Sequence, residues 1–265
     1  MSVRKGAPAL LSTGTLCAAL LLTGCAATAP LAPAPVGPAV TAPPAGDARP
    51  HPAPPGRPAG APATTPAPAP RLPGIGPATQ DLVPAGTTQA LVVSGSAADS
   101  STSTATLYER GPDRHWIPTA GPWPAHNALN GWTADHSAGD LRTPIGVFRI
   151  GDAGGRLPDP GALLPYDQNE EFAISGTGFG GEPLEGSFDH VIAIDYNRVP
   201  GRTPLDKERP LGEEKGGGVW IHVDHGGPTQ ACVALEREEL RALLRALDPA
   251  KDPVVVMGPA PELAH

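Results

Sequence analysis

His222 and Cys232 lie ten residues apart in the run Val219-Trp220-Ile221-His222-Val223-Asp224-His225-Gly226-Gly227-Pro228-Thr229-Gln230-Ala231-Cys232-Val233, and they are the side chains best suited to chemistry. A thiolate attacking a carbonyl makes a thioester, and an imidazole within reach can take the thiol proton and later return it to a leaving amine. The same residue types bind zinc, so His222, His225 and Cys232, with His190 or Asp224, make a competing metal reading. Residues three apart on an extended strand face opposite ways, so His222 and His225 converge only if the strand ends at Val223. Without such a context, a lone cysteine is a small apolar core residue.

The elements around the pair read as strands and one helix. Val219, Ile221 and Val223 alternate with Trp220 and His222, so a strand here turns the imidazole and the indole to the same face. Segments 89–94 and 104–109 pair as a hairpin across a small-polar loop, and short strands are expected at 116–117 and 146–150. Residues 189–196 read as a buried strand and 254–257 as the last one. Leu240, Leu243, Leu244 and Leu247 have helical spacing, with Glu236, Glu238 and Glu239 in the first turn and Asp248-Pro249 as the stop. This is the one clear amphipathic helix. Its start close behind Cys232 predicts that the positive end of the helix dipole favours the thiolate.

Three cysteines are present, and the other two fall near the N-terminus. Arg4 and Lys5 precede an apolar stretch, residues 7–22, that contains Cys17, and Leu22-Thr23-Gly24-Cys25 follows. That pattern is a signal peptide, residues 1–25. Leu22-Thr23-Gly24-Cys25 resembles the bacterial lipobox, which implies that Cys25 becomes a lipid-modified N-terminus. On that reading Cys232 has no internal disulfide partner. Residues 26–77 are dense in Pro and Ala with almost no large apolar side chain, so they cannot build a core and read as a disordered tether. At about 3.1 Å per residue, some 50 extended residues reach on the order of 100 Å. Residues 78–259 are long enough for one domain, with 260–265 as a tail. The formal net charge of -8 and the absence of a basic run argue against a nucleic-acid partner.

The order of Asn130-Gly131-Trp132, Gly139-Asp140-Leu141-Arg142-Thr143-Pro144-Ile145-Gly146-Val147-Phe148, Ile194-Asp195-Tyr196-Asn197, Gly218-Val219-Trp220-Ile221-His222-Val223 and Pro228-Thr229-Gln230-Ala231-Cys232-Val233-Ala234-Leu235 resembles the L,D-transpeptidase catalytic-domain family of bacterial cell-wall enzymes, in a form common in actinobacteria. The resemblance implies a mainly β (β-rich α+β) fold, a sandwich-like domain with the cysteine at the mouth of a cleft. It implies that Cys232 is the nucleophile and His222 the base, with the second ring nitrogen of His222 held by the Val223 carbonyl rather than by Asp224. Thr229 and the backbone N–H groups at Ala231 and Cys232 support the site and its oxyanion, while Trp220, His225, Tyr196 and Asn197 are candidates for the substrate cleft. The implied reaction releases D-alanine from a peptidoglycan stem tetrapeptide and joins the acyl group to the amine of a second stem, with no cofactor and no metal. Alternatives are an L,D-carboxypeptidase, in which water resolves the thioester, and a catalytically impaired cell-wall-binding lipoprotein. The implied location is the outer face of the cytoplasmic membrane, with the domain reaching into the wall. Family members usually carry Gly before the cysteine, and a positive φ at that position would make Ala231 a source of strain.

Overall fold

The computed structural model describes residues 70–265. The predicted signal peptide, Cys25 and the Pro/Ala-rich stretch up to residue 69 lie outside the described residues. The strands are β1 (Gln89–Gly95), β2 (Thr102–Arg110), β3 (Trp116–His126), β4 (Trp132–Thr133), β5 (Thr143–Pro144), β6 (Gly146–Arg149), β7 (Asp152–Gly155), β8 (Tyr166–Gln168), β9 (Val191–Ala193), β10 (Trp220–Val223), β11 (Val233–Leu235) and β12 (Val254–Pro259). The α-helices are α1 (Pro77–Asp81), α2 (Arg237–Ala246) and α3 (Ala260–Leu263). Ten strands form one mixed sheet in the order β6-β12-β1-β2-β3-β11-β10-β9-β7-β8, and β4 pairs with β5. The fold is mainly β, with few helices.

Alternation decides which side of each strand is buried. Leu91 and Val93 of β1, Ile221 and Val223 of β10, Val233 and Leu235 of β11 and Val255 and Met257 of β12 enter one large core with Leu240, Leu243, Leu244 and Leu247 from α2 and the residue that follows it. Strands from distant parts of the sheet order share this cluster, so the sheet wraps around it. Ala90 and Val92 of β1 and Val254 and Val256 of β12 face the opposite way, into a smaller core with Trp116, Leu72, Ile75 and Leu263. Their continuous apolar runs follow from burial on both faces.

The ordered unit therefore begins before residue 78 and extends past 259. Leu72 and Ile75 are buried, and the Gly76 N–H donates to the Leu263 carbonyl at 2.8 Å while Ala78 N–H donates to the His265 carbonyl at 3.0 Å. Residues assigned from sequence to the end of the tether and to the tail thus pack together over β1 and β12.

Three further expectations need correction. β3 runs eleven residues where only Trp116-Ile117 was expected. Pro118, Pro122 and Pro124 hide it in the sequence, because proline cannot donate within a ladder. They are accommodated because β11 pairs only with Ala125 and His126, which leaves that side of the proline-rich part unpaired. The buried strand expected over 189–196 is ordered as β9 for three residues only, since the backbone leaves the ladder in local turns at both ends, Asp189 N–H donating to the Gly186 carbonyl and Tyr196 N–H to the Ile194 carbonyl. Finally, α2 does not follow Cys232 directly. β11 stands between them, and the thiol lies at a loop-to-strand junction rather than at a helix N-terminus.

Candidate active site

Register brings the two chemical side chains together. β10 and β11 are parallel, with Ile221 opposite Val233 and His222 opposite Ala234. Continuing that register by one step sets Cys232 opposite Trp220. Ile221, Val223, Val233 and Leu235 fill the main core, so the intervening residues, His222 and Cys232 among them, turn to the other face. One strand spacing and two residues along the strand separate the pair, a diagonal of about 8 Å between Cα atoms that both side chains can span. Both line one cleft of about 450 Å³.

The thiol is half-buried at the floor of this cleft. Its Sγ accepts from the Trp220 N–H at 3.4 Å and donates to the Gly218 carbonyl at 3.7 Å. Loss of water around it pushes its pKa up to about 11, opposed by the Trp220 N–H. His222 is 3% exposed and its pKa is lowered to about 4, first by burial, with the charge of His225 acting in the same direction. The hydrogen bond to Val223 and the Asp224 carboxylate oppose that shift. At neutral pH both the thiol and the imidazole are uncharged.

Nδ1 of His222 lies 2.9 Å from the Val223 carbonyl, so it carries the proton and leaves Nε2 as the basic nitrogen. Asp224 is engaged elsewhere: its carboxylate meets Nδ1 of His126 at 3.0 Å and accepts from the Gly226 N–H. The His222 ring lies between the edge-on ring of Phe188, with centroids 5.5 Å apart, and the nearly parallel ring of His225, at 5.8 Å and 12°.

Two threonines fix the turn before the nucleophile. Thr229 donates its hydroxyl to the Cys232 carbonyl at 2.7 Å, while its backbone bonds to Asn127 and Leu129. Thr143, from the Gly139-Asp140-x-x-Thr143-Pro144 motif, is fully buried; its hydroxyl accepts from the Ala128 N–H at 2.9 Å and reaches the same carbonyl at 3.4 Å. With that carbonyl held inward, the N–H groups of Ala231 and Cys232 donate to no other residue among the described ones. Neither Gln230 nor Ala231 has a positive φ, so the strain expected at Ala231 is absent. The left-handed position in this loop falls on Gly226 instead, at φ 86°.

Other expected cleft residues sit differently. Trp220 packs beneath the cleft, its ring against Phe188 and Phe172 with centroids 5.0 and 5.7 Å away. Tyr196 donates to the Lys215 carbonyl at 2.9 Å. Asn197, buried and at φ 45°, donates to the Gly212 and Gly216 carbonyls and accepts from the Leu211 N–H. Both therefore brace the glycine segment 216–218 that forms one wall. His225 does line the cleft. His190 is remote in bonding, with Nδ1 2.9 Å from the Tyr166 hydroxyl, and no group of three or more His, Cys, Asp or Glu among the described residues is placed to hold a metal.

The opposite wall comes from segment 174–188, including Phe179, Leu184 and Phe188, which sequence reading left unassigned. His136, 5% exposed, also lines the cleft and sets Nδ1 3.0 Å from Asp140. The i,i+4 spacing of His136 and Asp140 was the available signal, although outside a helix such spacing carries little weight. The model of the YkuD family, described as the L,D-transpeptidase catalytic domain, matches residues 98–256. No curated protein matches the sequence.

Proposed function

Because that match spans more than half of the chain, the protein belongs to the L,D-transpeptidase catalytic-domain family, whose members are cysteine-dependent transpeptidases acting on peptidoglycan peptides, and we propose that it forms crosslinks between third stem residues through a thioacyl intermediate on Cys232. The observation that carries this reading is the β10–β11 register, which turns Cys232 and His222 to one cleft with the far ring nitrogen tied to Val223.

The neutral pair sets the order of proton movements. As Sγ bonds to the third-residue carbonyl carbon, its proton passes to Nε2 of His222, and the carbonyl oxygen gains negative charge to which the Ala231 and Cys232 N–H groups can donate hydrogen bonds. Collapse of the tetrahedral adduct breaks the bond to D-alanine, whose nitrogen takes the proton from the imidazolium. The thioester remains. An acceptor amine then attacks the thioester carbon and gives a proton to the neutral imidazole; the C–S bond breaks, the imidazolium returns that proton to sulfur, and a new amide and the free thiol result. The same reading has Cys25 carrying the lipid anchor and the Pro/Ala-rich segment holding the domain away from the membrane.

Intact-mass analysis of residues 70–265 with a tetrapeptide muropeptide tests this. The expected result is a transient adduct on Cys232, release of D-alanine and a dimer, all abolished by Cys232→Ala and slowed at least 100-fold by His222→Ala. Release of D-alanine without dimer would make the protein a carboxypeptidase. No adduct and no release would sink the enzyme reading.

A further inference from the structure

Glu182 occupies a space that glycines keep open. A Cβ at Gly178 or Gly227 would overlap its Oε1, and one at Gly180 would stand 3.0 Å from its Oε2. None of these three glycines has a positive φ, so backbone conformation does not require them. What they supply is room for a carboxylate between two loops. Oε2 accepts from the Gly180 N–H at 2.8 Å, while Oε1 and Nδ1 of His225 stand 3.2 Å apart, an ion-pair contact out of hydrogen-bond alignment. Glu182's own N–H and that of Gly180 hold the carboxyl below the usual carboxylate range, with His225 adding to the effect. The pair is well shielded, with side-chain exposures of 14% and 6%. His225 in turn lies flat against His222.

We propose that Glu182 and His225 are a positioning pair for the base: the cradled carboxylate orients the His225 ring, and that ring holds the His222 imidazole with Nε2 directed at Cys232. The role rests on the assignment of His222 as base, and it goes beyond the two-residue site. His222 has one fixed hydrogen bond, to Val223, about which its ring can still tilt. Phe188 limits tilt from one direction and His225 from another. The titratable groups around His222 are His225 against its ring and Asp224 beyond Val223, with Cys232 at the entry to the neighbouring β11; around His225 they are His222 and Glu182. Glu182 also ties the turn 177–183, in which Gly178 N–H donates to the Glu182 carbonyl, to the loop that leads to the nucleophile.

The test uses alkylation of Cys232 by iodoacetamide, followed by intact mass from pH 6 to 10, which needs no muropeptide. The variants are Glu182→Ala, His225→Ala and Gly227→Ala, the last of which displaces the carboxylate and leaves both partners in place. The expected result is a rate at pH 7 at least ten-fold lower in each, with the gap to wild type narrowing towards pH 10 as direct ionisation of the thiol begins to supply thiolate without the base. The double variant Glu182→Ala/Gly227→Ala is expected within two-fold of the slower single variant, because both remove one device. Equal rates at every pH, or a uniform loss at every pH, would overturn the proposal. If wild type alkylates as expected but forms no thioacyl adduct with muropeptide, the transpeptidase reading fails while the positioning pair stands.

Discussion

Ala231 precedes the nucleophile with an ordinary backbone and packs its methyl against the main core, so the family's glycine is not required by this turn. Ala231→Gly should leave the acylation rate within two-fold and lower stability by about 0.5–1 kcal/mol through the greater freedom of the unfolded chain. A clear rise in rate, measured beside urea denaturation, would mean that the methyl obstructs the substrate. The neutral pair gives a second prediction at this scale. Since His222 stays unprotonated down to about pH 4 and Cys232 protonated up to about 11, acylation should be flat from about pH 5 to 9. An acid limb with its midpoint near the ordinary histidine value would show a solvated imidazole instead. The sign for stability follows: His222 takes a proton more readily unfolded than folded, so its neutral burial stabilises the fold above about pH 6.5 and loses stability as pH falls towards 4. For Cys232 the folded state holds its proton longer, so stability declines as pH rises from about 9 towards 11.

At the scale of elements, β10 was legible because a short alternating strand fixes both faces at once, and the facing of His222 followed from Val219, Ile221 and Val223. β11 was not. Val233-Ala234-Leu235 has no alternation of polarity to distinguish it from the approach to a helix, and the parallel partner that makes it a strand is set by tertiary pairing. That omission produced the expectation of dipole activation. With α2 beginning at Arg237, neutralising its first-turn acids by Glu238→Gln and Glu239→Gln should change the Cys232 alkylation rate less than two-fold. A larger change would restore a helix-terminus effect. Thr143 shows the opposite kind of omission. Its motif stood among those that carry the family resemblance, but its hydroxyl's contact with the Cys232 carbonyl, 89 residues on, depends on packing that local sequence does not encode. Thr143→Val leaves the Ala128 N–H without its acceptor, and Thr229→Val removes the shorter of the two hydroxyl bonds to the Cys232 carbonyl; each is expected to lose about 1–3 kcal/mol in chemical denaturation, with slower acylation as the turn relaxes.

At the scale of the whole domain, the closing contact joins residues 72–78 to residues 263–265. Composition placed the start of the fold at residue 78, since Pro and Gly dominate the preceding residues and two apolar side chains are too few to signal a core. Yet Leu72 and Ile75 fill the smaller cluster beneath Trp116 and Leu263, and the N–H groups of Gly76 and Ala78 bond to carbonyls of Leu263 and His265. Gly76 has no room for a side chain there, because a Cβ would overlap the Ala264 carbonyl. This clasp covers the outer faces of β1 and β12, strands that meet the main core on their other side, and it lies apart from the Cys232 cleft. A chain beginning at residue 70 keeps every contact of this clasp. One beginning at residue 78 should lose about 3 kcal/mol or more, from the buried area of Leu72 and Ile75, while retaining the pH profile of Cys232 acylation wherever it remains folded. Urea midpoints for the two chains, read beside their acylation rates, separate these outcomes. Equal midpoints would show that the outer cluster contributes nothing, whereas a changed pH profile would mean that the clasp reaches the site through β12 and β1.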